Sequence, residues 1–443
     1  MSTTPPGPKG LPVVGNSYHY AQDPLRFMTA VRDAYGDIAQ FTLGPEQAYM
    51  LTNPDDVERV LVSDEGAYRK PQFQADTLGN LLGDGLLLSE GGTWKRERQR
   101  MQPAFLRNRL DDCAGLMAEY AAEMAAGWDT GETIQVDIEM AKVTLQIITS
   151  AMMGVDLDDA TIERVQESLQ PVGDQFSPTI RGFLMPEWVP TREQREYRQS
   201  IDVLEDVLRD VLRDRQGPHA DGPDMLSLLF GAQSESAEVD RELIRDEMMT
   251  MLLAGHDTTA LTLTYTWHLL ARHPEIEARL HDELDTVLGG EPPTSETVRR
   301  LDYTDRVLSE AMRLYPPVYT LFRTAKEPVD LGGYRLPQGS LLMLPQWAIH
   351  RDPRWYDDPD TFDPDRWKPA RRNERPSYSY FPFGAGPRSC IGKQLSLLEA
   401  KFIIGTVAQD YHLDLESSAS FDFQPTLTLH PADPVEMSIR ERQ

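Results

Sequence analysis

Cysteine is almost missing from this chain: its 443 residues hold two, Cys113 and Cys390. Two cysteines exclude a disulfide-stapled secreted scaffold and any cluster built on several thiolates, and a reducing compartment fits best. Lysine is nearly as scarce, with eight among the 44 basic residues, and positive charge as a whole is short against 71 acidic residues. The formal net charge of −27 repels DNA, RNA and anionic lipid, so nucleic-acid partners are not expected. Such self-repulsion costs stability at low ionic strength, and molar salt shortens the screening length to about 3 Å. The composition therefore resembles that of halophilic proteins; an ordinary acidic cytosolic enzyme is the other reading. No apolar run approaches the roughly 20 residues that span a bilayer, and the first residues lack the apolar stretch of a signal peptide. A cytoplasmic protein without a transmembrane anchor is expected.

What is present is a long chain with 40% hydrophobic residues, enough for a sizeable core. Pro5, Pro6, Pro8 and Pro12 predict an extended N-terminal segment over residues 1–22. Asp23-Pro24 opens a helical pattern. Residues 38–43 and 47–52 alternate as strands around Gly44-Pro45. Apolar spacing of three and four predicts helices over 92–108, 110–128, 137–154, 191–215 and 301–315. The longest, over 236–272, would span roughly 50 Å and is stopped by His273-Pro274. Residues 67–92 look irregular, 176–188 read as a mobile entrance or a plain surface loop, and the last thirty residues look like short strands. Neither repeats nor a linker divides the chain. The expected fold class is mainly α with a minor β region in a single large domain over 1–443.

The most informative stretch runs Phe383-Gly-Ala-Gly-Pro-Arg-Ser-Cys-Ile-Gly392. Gly384, Gly386 and Gly392 let backbone approach a large flat ligand. Cys390 is expected to begin a helix, whose N–H groups favour a thiolate, and Arg388 adds positive charge two residues away. A buried structural cysteine is the alternative.

This run resembles the haem-binding signature of the cytochrome P450 family, Phe-x-x-Gly-x-Arg-x-Cys-x-Gly, at every fixed position. The resemblance implies that Cys390 is the proximal ligand of a haem b iron, that Phe383 packs near its sulfur, and that Arg388 meets a haem propionate. Thiolate ligation pushes electron density onto iron and favours O–O cleavage. Three further matches accompany it. Glu310 and Arg313 share a helix face and resemble the family's buried Glu-x-x-Arg, with Arg366 of Phe-Asp-Pro-Asp-Arg366 as the third member of a structural triad. Ala254-Gly-His-Asp-Thr-Thr259 resembles the distal-helix motif. Splitting dioxygen requires protons delivered on site, so Thr258 is expected to hydrogen-bond the oxygen and Asp257 to relay protons inward. Gly255 is expected to let the helix open there. A threonine bonded back to its own helix is the competing reading. Trp94, Arg98 and Arg323 match propionate contacts, with Lys70 as a further candidate.

By the same resemblance Leu87, Ala254, Val318, Tyr319 and Leu321 line an apolar pocket, which implies O2 and a fatty acid, carotenoid or other isoprenoid as substrates. Neither a flavin nor an iron–sulfur module is recognisable, so a ferredoxin- or flavodoxin-type donor is expected to dock near Lys95, Arg96, Arg100 and Lys393. A monomer is expected. A monooxygenase is the leading reading. A peroxide-using peroxygenase, a peroxide isomerase and a non-enzymatic haem-thiolate sensor are the alternatives.

Overall fold

The structure is a computed structural model and describes residues 4–12, 14–179, 191–214, 226, 241–416 and 422–442. Among the described residues helices dominate, and four small sheets lie beside them. The largest sheet pairs Ile38–Leu43 with Glu46–Leu51, then Leu341–Leu344, Leu321–Ala325 and Tyr68–Arg69. Its period of two sorts side chains between two cores. Ala48, Met50, Leu341 and Met343 join Phe27, Met28 and Val31 on one face. Tyr49, Leu51, Leu342 and Leu344 pack with Val57, Val60 and Leu61 on the other. The third and largest core lies among the helices.

Local signals account for several boundaries. Pro24–Tyr35 starts where Asp23 accepts the Arg26 amide at 2.8 Å, and it ends at Gly36 with φ of 76°. The structure also corrects the sequence reading. The segment 1–22 is not extended throughout: Ser17–Gln22 is helical, because Tyr20 buries its ring against Phe27. Gln72–Leu82 is a helix in the stretch read as irregular, with Leu78, Leu81 and Leu82 on its buried face. Asp159–Asp174 and Pro274–Val287 are further helices. The single long helix is two, Arg241–Gly255 and Asp257–Ala271, separated at His256. At the break a Cβ on Gly255 would lie 2.9 Å from Ile148 Cγ1. Glycine there serves close packing against the helix Val136–Ile148. The expected start near Ser236 and most of the expected entrance at 176–188 lie outside the described residues.

One buried ionic knot joins the helix Asp302–Leu314 to the chain leading to Cys390. Arg313 donates through Nε to Glu310 Oε2 and through Nη2 to Glu310 Oε1, both at 2.8 Å. Arg366 Nε reaches Oε1 at 3.2 Å, and Trp367 Nε1 donates to Oε2 at 3.0 Å. The Asp363 amide adds a fifth bond at 3.1 Å. Arg313 also donates to the carbonyls of His350, Pro359 and Thr361. The left-handed backbone of Asp358 accompanies its carbonyl's bond to Arg366, at 2.7 Å. Glu310 and Arg313 are wholly buried, so each needs its partners.

Replacing Glu310 with Gln leaves two buried guanidinium groups without their carboxylate. We predict a loss of about 3–5 kcal/mol in chemical denaturation of the haem-loaded protein. A loss below about 1 kcal/mol, the size of a surface pair, would contradict this account of the knot.

Candidate haem-thiolate site

The cysteine loop hangs from that knot. His350, whose carbonyl accepts from Arg313, receives the Phe381 amide on Nε2 at 3.0 Å. The Phe381 carbonyl accepts from Gln346 Nε2 and from the Gly384 amide, and the Cys390 amide closes the loop on Phe383 O at 2.9 Å. Tyr380 donates to Ser309 O of the Glu310 helix. The turn Gly386–Arg388 lies against the π turn Arg59–Ser63. Gly386 has φ of 68°, and a Cβ there would overlap the Leu61 carbonyl.

Cys390 does not begin a helix, as the sequence reading expected. The helix Lys393–Asp410 starts three residues later, and Gly392 is its N-cap. The consequence for sulfur survives, because the amides of Gly392 and Lys393 both turn toward it. Cys390 is exposed on its open side, yet surrounding protein displaces enough water to push the thiol up. Those amides, Arg98 and Lys393 pull the other way. Phe383 lies under Lys393, whose Nζ is 5.6 Å from the ring centroid.

Beside the loop, four basic side chains share one partly buried region. Arg98 donates to Ser389 O at 2.8 Å. Arg388 stacks 4.4 Å from the Trp94 ring centroid and donates to Glu90 Oε2 and Ser89 O. Lys70 donates to the carbonyls of Leu86 and Ser89, both at 3.2 Å. Arg323 donates to Phe322 O. Burial, then Arg388, pushes Lys70 down to about 7 and Arg323 down to about 10. Glu90 is the carboxylate that bonds to this group, with Glu247 and Glu65 acting on it from farther away. A cluster so rich in cations fits a ligand with two carboxylates, and a thiol faced by two backbone amides, Arg98 and Lys393, which offset part of the burial cost of its ionised form, fits an iron. The residues present therefore fit haem: Cys390 would hold the metal, and Trp94, Arg98, Lys70, Arg323 and Arg388 would meet the propionates.

The distal residues carry a second charge arrangement. Thr258 Oγ1 donates to Ala254 O at 3.2 Å, the back-bond of the competing reading. Asp257, however, is not simply solvated. Thr428 donates to its Oδ2 at 2.7 Å, and His430 Nε2 lies 3.5 Å from its Oδ1 and 2.9 Å from Thr428 Oγ1. Burial opposes both charges, but mutual attraction prevails: Asp257 falls to about 2 and His430 rises. The His430 side chain is 38% exposed and Asp257 24%, so the pair runs from solvent to the residue beside Thr258. Sequence reasoning missed Thr428 and His430. They sit in short strand-like sequence near the C-terminus, 171 and 173 residues from their partner, and no local pattern marks them.

Of the expected pocket residues, Leu87 is 39% exposed while Leu86 is buried and Leu88 packs on the helical core. Ala254 and Val318 are half-buried. Leu321 Cδ1 lies 3.8 Å from where a Cβ on Gly384 would stand, beside the cysteine loop. Tyr319 goes elsewhere: it is buried with Met28, Phe41 and Met343, and its hydroxyl donates to Thr426 O.

This arrangement of thiol, cations and acid–alcohol pair is that of a haem-thiolate enzyme. The chain belongs to the cytochrome P450 family, whose model matches residues 5–437. It is 31% identical over 414 residues to cyclooctat-9-en-7-ol 5-monooxygenase of Streptomyces melanosporofaciens, covering 93% of this chain and 90% of that one. It is also 31% identical over 416 residues to pentalenene oxygenase of Streptomyces avermitilis, covering 93% and 92%. The fold matches the crystal structure of the cytochrome P450DA haem domain with a TM-score of 0.89 and 28% identity, over 100% and 99% of the two chains. The protein is thus a P450 monooxygenase, an oxidoreductase. Among the described residues no helix is long and apolar enough to cross a membrane.

Lys70 supplies a test of the haem fit that needs no activity. Its folded pKa lies below its ordinary value, so the fold penalises the charged form at neutral pH, and two carboxylates would relieve that penalty. We predict that Lys70→Met raises the melting temperature of the haem-free protein while haem transfer to an acceptor protein becomes about tenfold faster. Unchanged haem release would remove Lys70 from the propionate contacts.

Proposed function

We propose that this protein inserts one oxygen atom from O2 into a cyclic isoprenoid, using haem b and electrons from a separate ferredoxin- or flavodoxin-type protein. The single observation that carries the substrate class is similarity, over nine-tenths or more of each chain, to two oxygenases named for the ring compounds cyclooctat-9-en-7-ol and pentalenene. The proposed wall of Leu87, Ala254, Val318 and Leu321 is apolar and suits such a compound. Bound haem supplies dioxygen activation at iron. The chain's own residues would do the rest: Cys390 would hold the metal as a thiolate and lend it charge, apolar side chains would exclude water, and Thr258 would offer its hydroxyl as the last group of a proton path. Asp257 passes protons to that hydroxyl from His430. Lys95, Arg96 and Lys393 are exposed, and half-buried Arg100 is paired with Glu97. On so acidic a chain these bases suit an acidic redox partner. We further propose a cytoplasmic monomer adapted to high salt. Its melting temperature should climb steeply toward molar KCl, and a flat response would leave plain acidity as the better reading.

The substrate class is tested by spectral titration of the haem-loaded protein with pentalenene and with a linear fatty acid of equal carbon number. We expect the terpene to bind at least about tenfold more tightly and to give a monohydroxylated product whose position shifts in Leu87→Phe. Tighter binding of the fatty acid would contradict the assignment.

The relay has a pH signature. Asp257 is held below its ordinary value, so its contribution is present above about 3.8 and is lost as pH falls toward about 2. His430 is held above its ordinary value, so its contribution is full below about 6.5 and is lost as pH rises through the raised folded pKa. Coupling of reductant use to product should therefore fall on the alkaline side of that value, with hydrogen peroxide released instead. His430→Gln should lower coupling about tenfold at neutral pH, less than a full general-acid contribution of about 10²–10⁴, and abolish the alkaline step. A step that persists unchanged in the variant would exclude His430.

A further inference from the structure

Away from the haem site, Glu277, His281 and His412 bring one ligand atom each within 4.8 Å of one another. Glu277 and His281 stand four residues apart on the helix Pro274–Val287, so their side chains share one face. His412 lies at the start of the strand Tyr411–Leu415, which follows the helix carrying the thiolate loop's C-terminal side. We propose that these three residues bind a divalent transition-metal ion, zinc by preference, that clamps the helix Pro274–Val287 to the strand Tyr411–Leu415.

Two imidazoles and one carboxylate are a recurrent donor set for such ions. Ligand bonds of about 2.0–2.1 Å set a tetrahedral edge of about 3.3 Å. His412 Nδ1 and Glu277 Oε1 are 3.3 Å apart. An ion pair between those two would give the same distance, but it leaves His281 unexplained. That side chain is 6% exposed, and its Nε2 is buried with no hydrogen-bond partner. Its ring lies edge-on to His412, with centroids 4.6 Å apart. Leaving a buried imidazole nitrogen unbonded costs free energy, and a metal would take that lone pair. Neighbouring charges largely cancel: Arg442 pairs with Asp285, and Arg440 with Asp414. The His412 side chain is 37% exposed, which leaves a face open for water as a further ligand. The helix Pro274–Val287 also packs on Lys393–Asp410, so the clamp would brace the helix that begins just after Cys390.

The test uses the full-length, haem-loaded protein without a histidine tag, stripped with a chelator and titrated calorimetrically with zinc chloride. Metal analysis after dialysis counts zinc against haem iron. We expect one zinc per chain with a dissociation constant of about 1 µM or below. His281→Gln and His412→Gln should each weaken it at least about tenfold, with haem content and the reduced CO spectrum unchanged. The more accessible His412 and Glu277→Gln keep the test sound should His281→Gln fail to fold. No saturable zinc binding, or equal zinc in wild type and in the His412 and Glu277 variants, would overturn the proposal.

Discussion

The structure depends on one buried carboxylate. Glu310 fixes two guanidinium groups, an indole N–H and a backbone amide. Arg313 then carries the restraint outward through His350 and Phe381 to the loop that presents Cys390. Burial, then Arg313 and Arg351, holds His350 far below its ordinary pKa, so its Nε2 remains an acceptor for the Phe381 amide. A thiolate ligand needs a fixed approach direction, and this relay of bonds holds the loop that would supply it.

Charge is distributed by purpose. The chain is strongly acidic overall, with a net charge of −27, yet the candidate haem site gathers Lys70, Arg323 and Arg388 at the cost of mutual repulsion, with Arg98 bonded to Ser389 beside them. Apart from a ligand with two carboxylates, little would reward that crowding. On the distal side the order reverses: a partly buried acid, Asp257, is kept ionised chiefly by His430, with His256 and Thr428 adding to it. Each arrangement places a charge where chemistry at iron would call for one.

Much of the site was legible in the sequence, because its motifs are local. Five fixed positions within ten residues identify the cysteine loop, and Glu310 with Arg313 needs only helical periodicity. Arg366 was reachable through resemblance alone. What could not be read is whatever depends on distant packing. His430 meets Asp257 across 173 positions, and Gly255, beside the His256 break, is packed by Ile148 of a distant helix. Tyr319 follows a proline pair like its neighbours, but its ring fills the N-terminal core, a choice set by Tyr20 and Thr426 rather than by local pattern. The helix Gln72–Leu82 was hidden by glycine and leucine runs that satisfy no single period.

The central claim is that Cys390 ligates haem iron as a thiolate. The most direct measurement is the absorption spectrum of the reduced, CO-bound protein, purified in high salt. The account predicts the long-wavelength Soret band of thiolate ligation, lost in Cys390→Ser. A band at the shorter wavelength of histidine or neutral-thiol ligation in the native protein would contradict it.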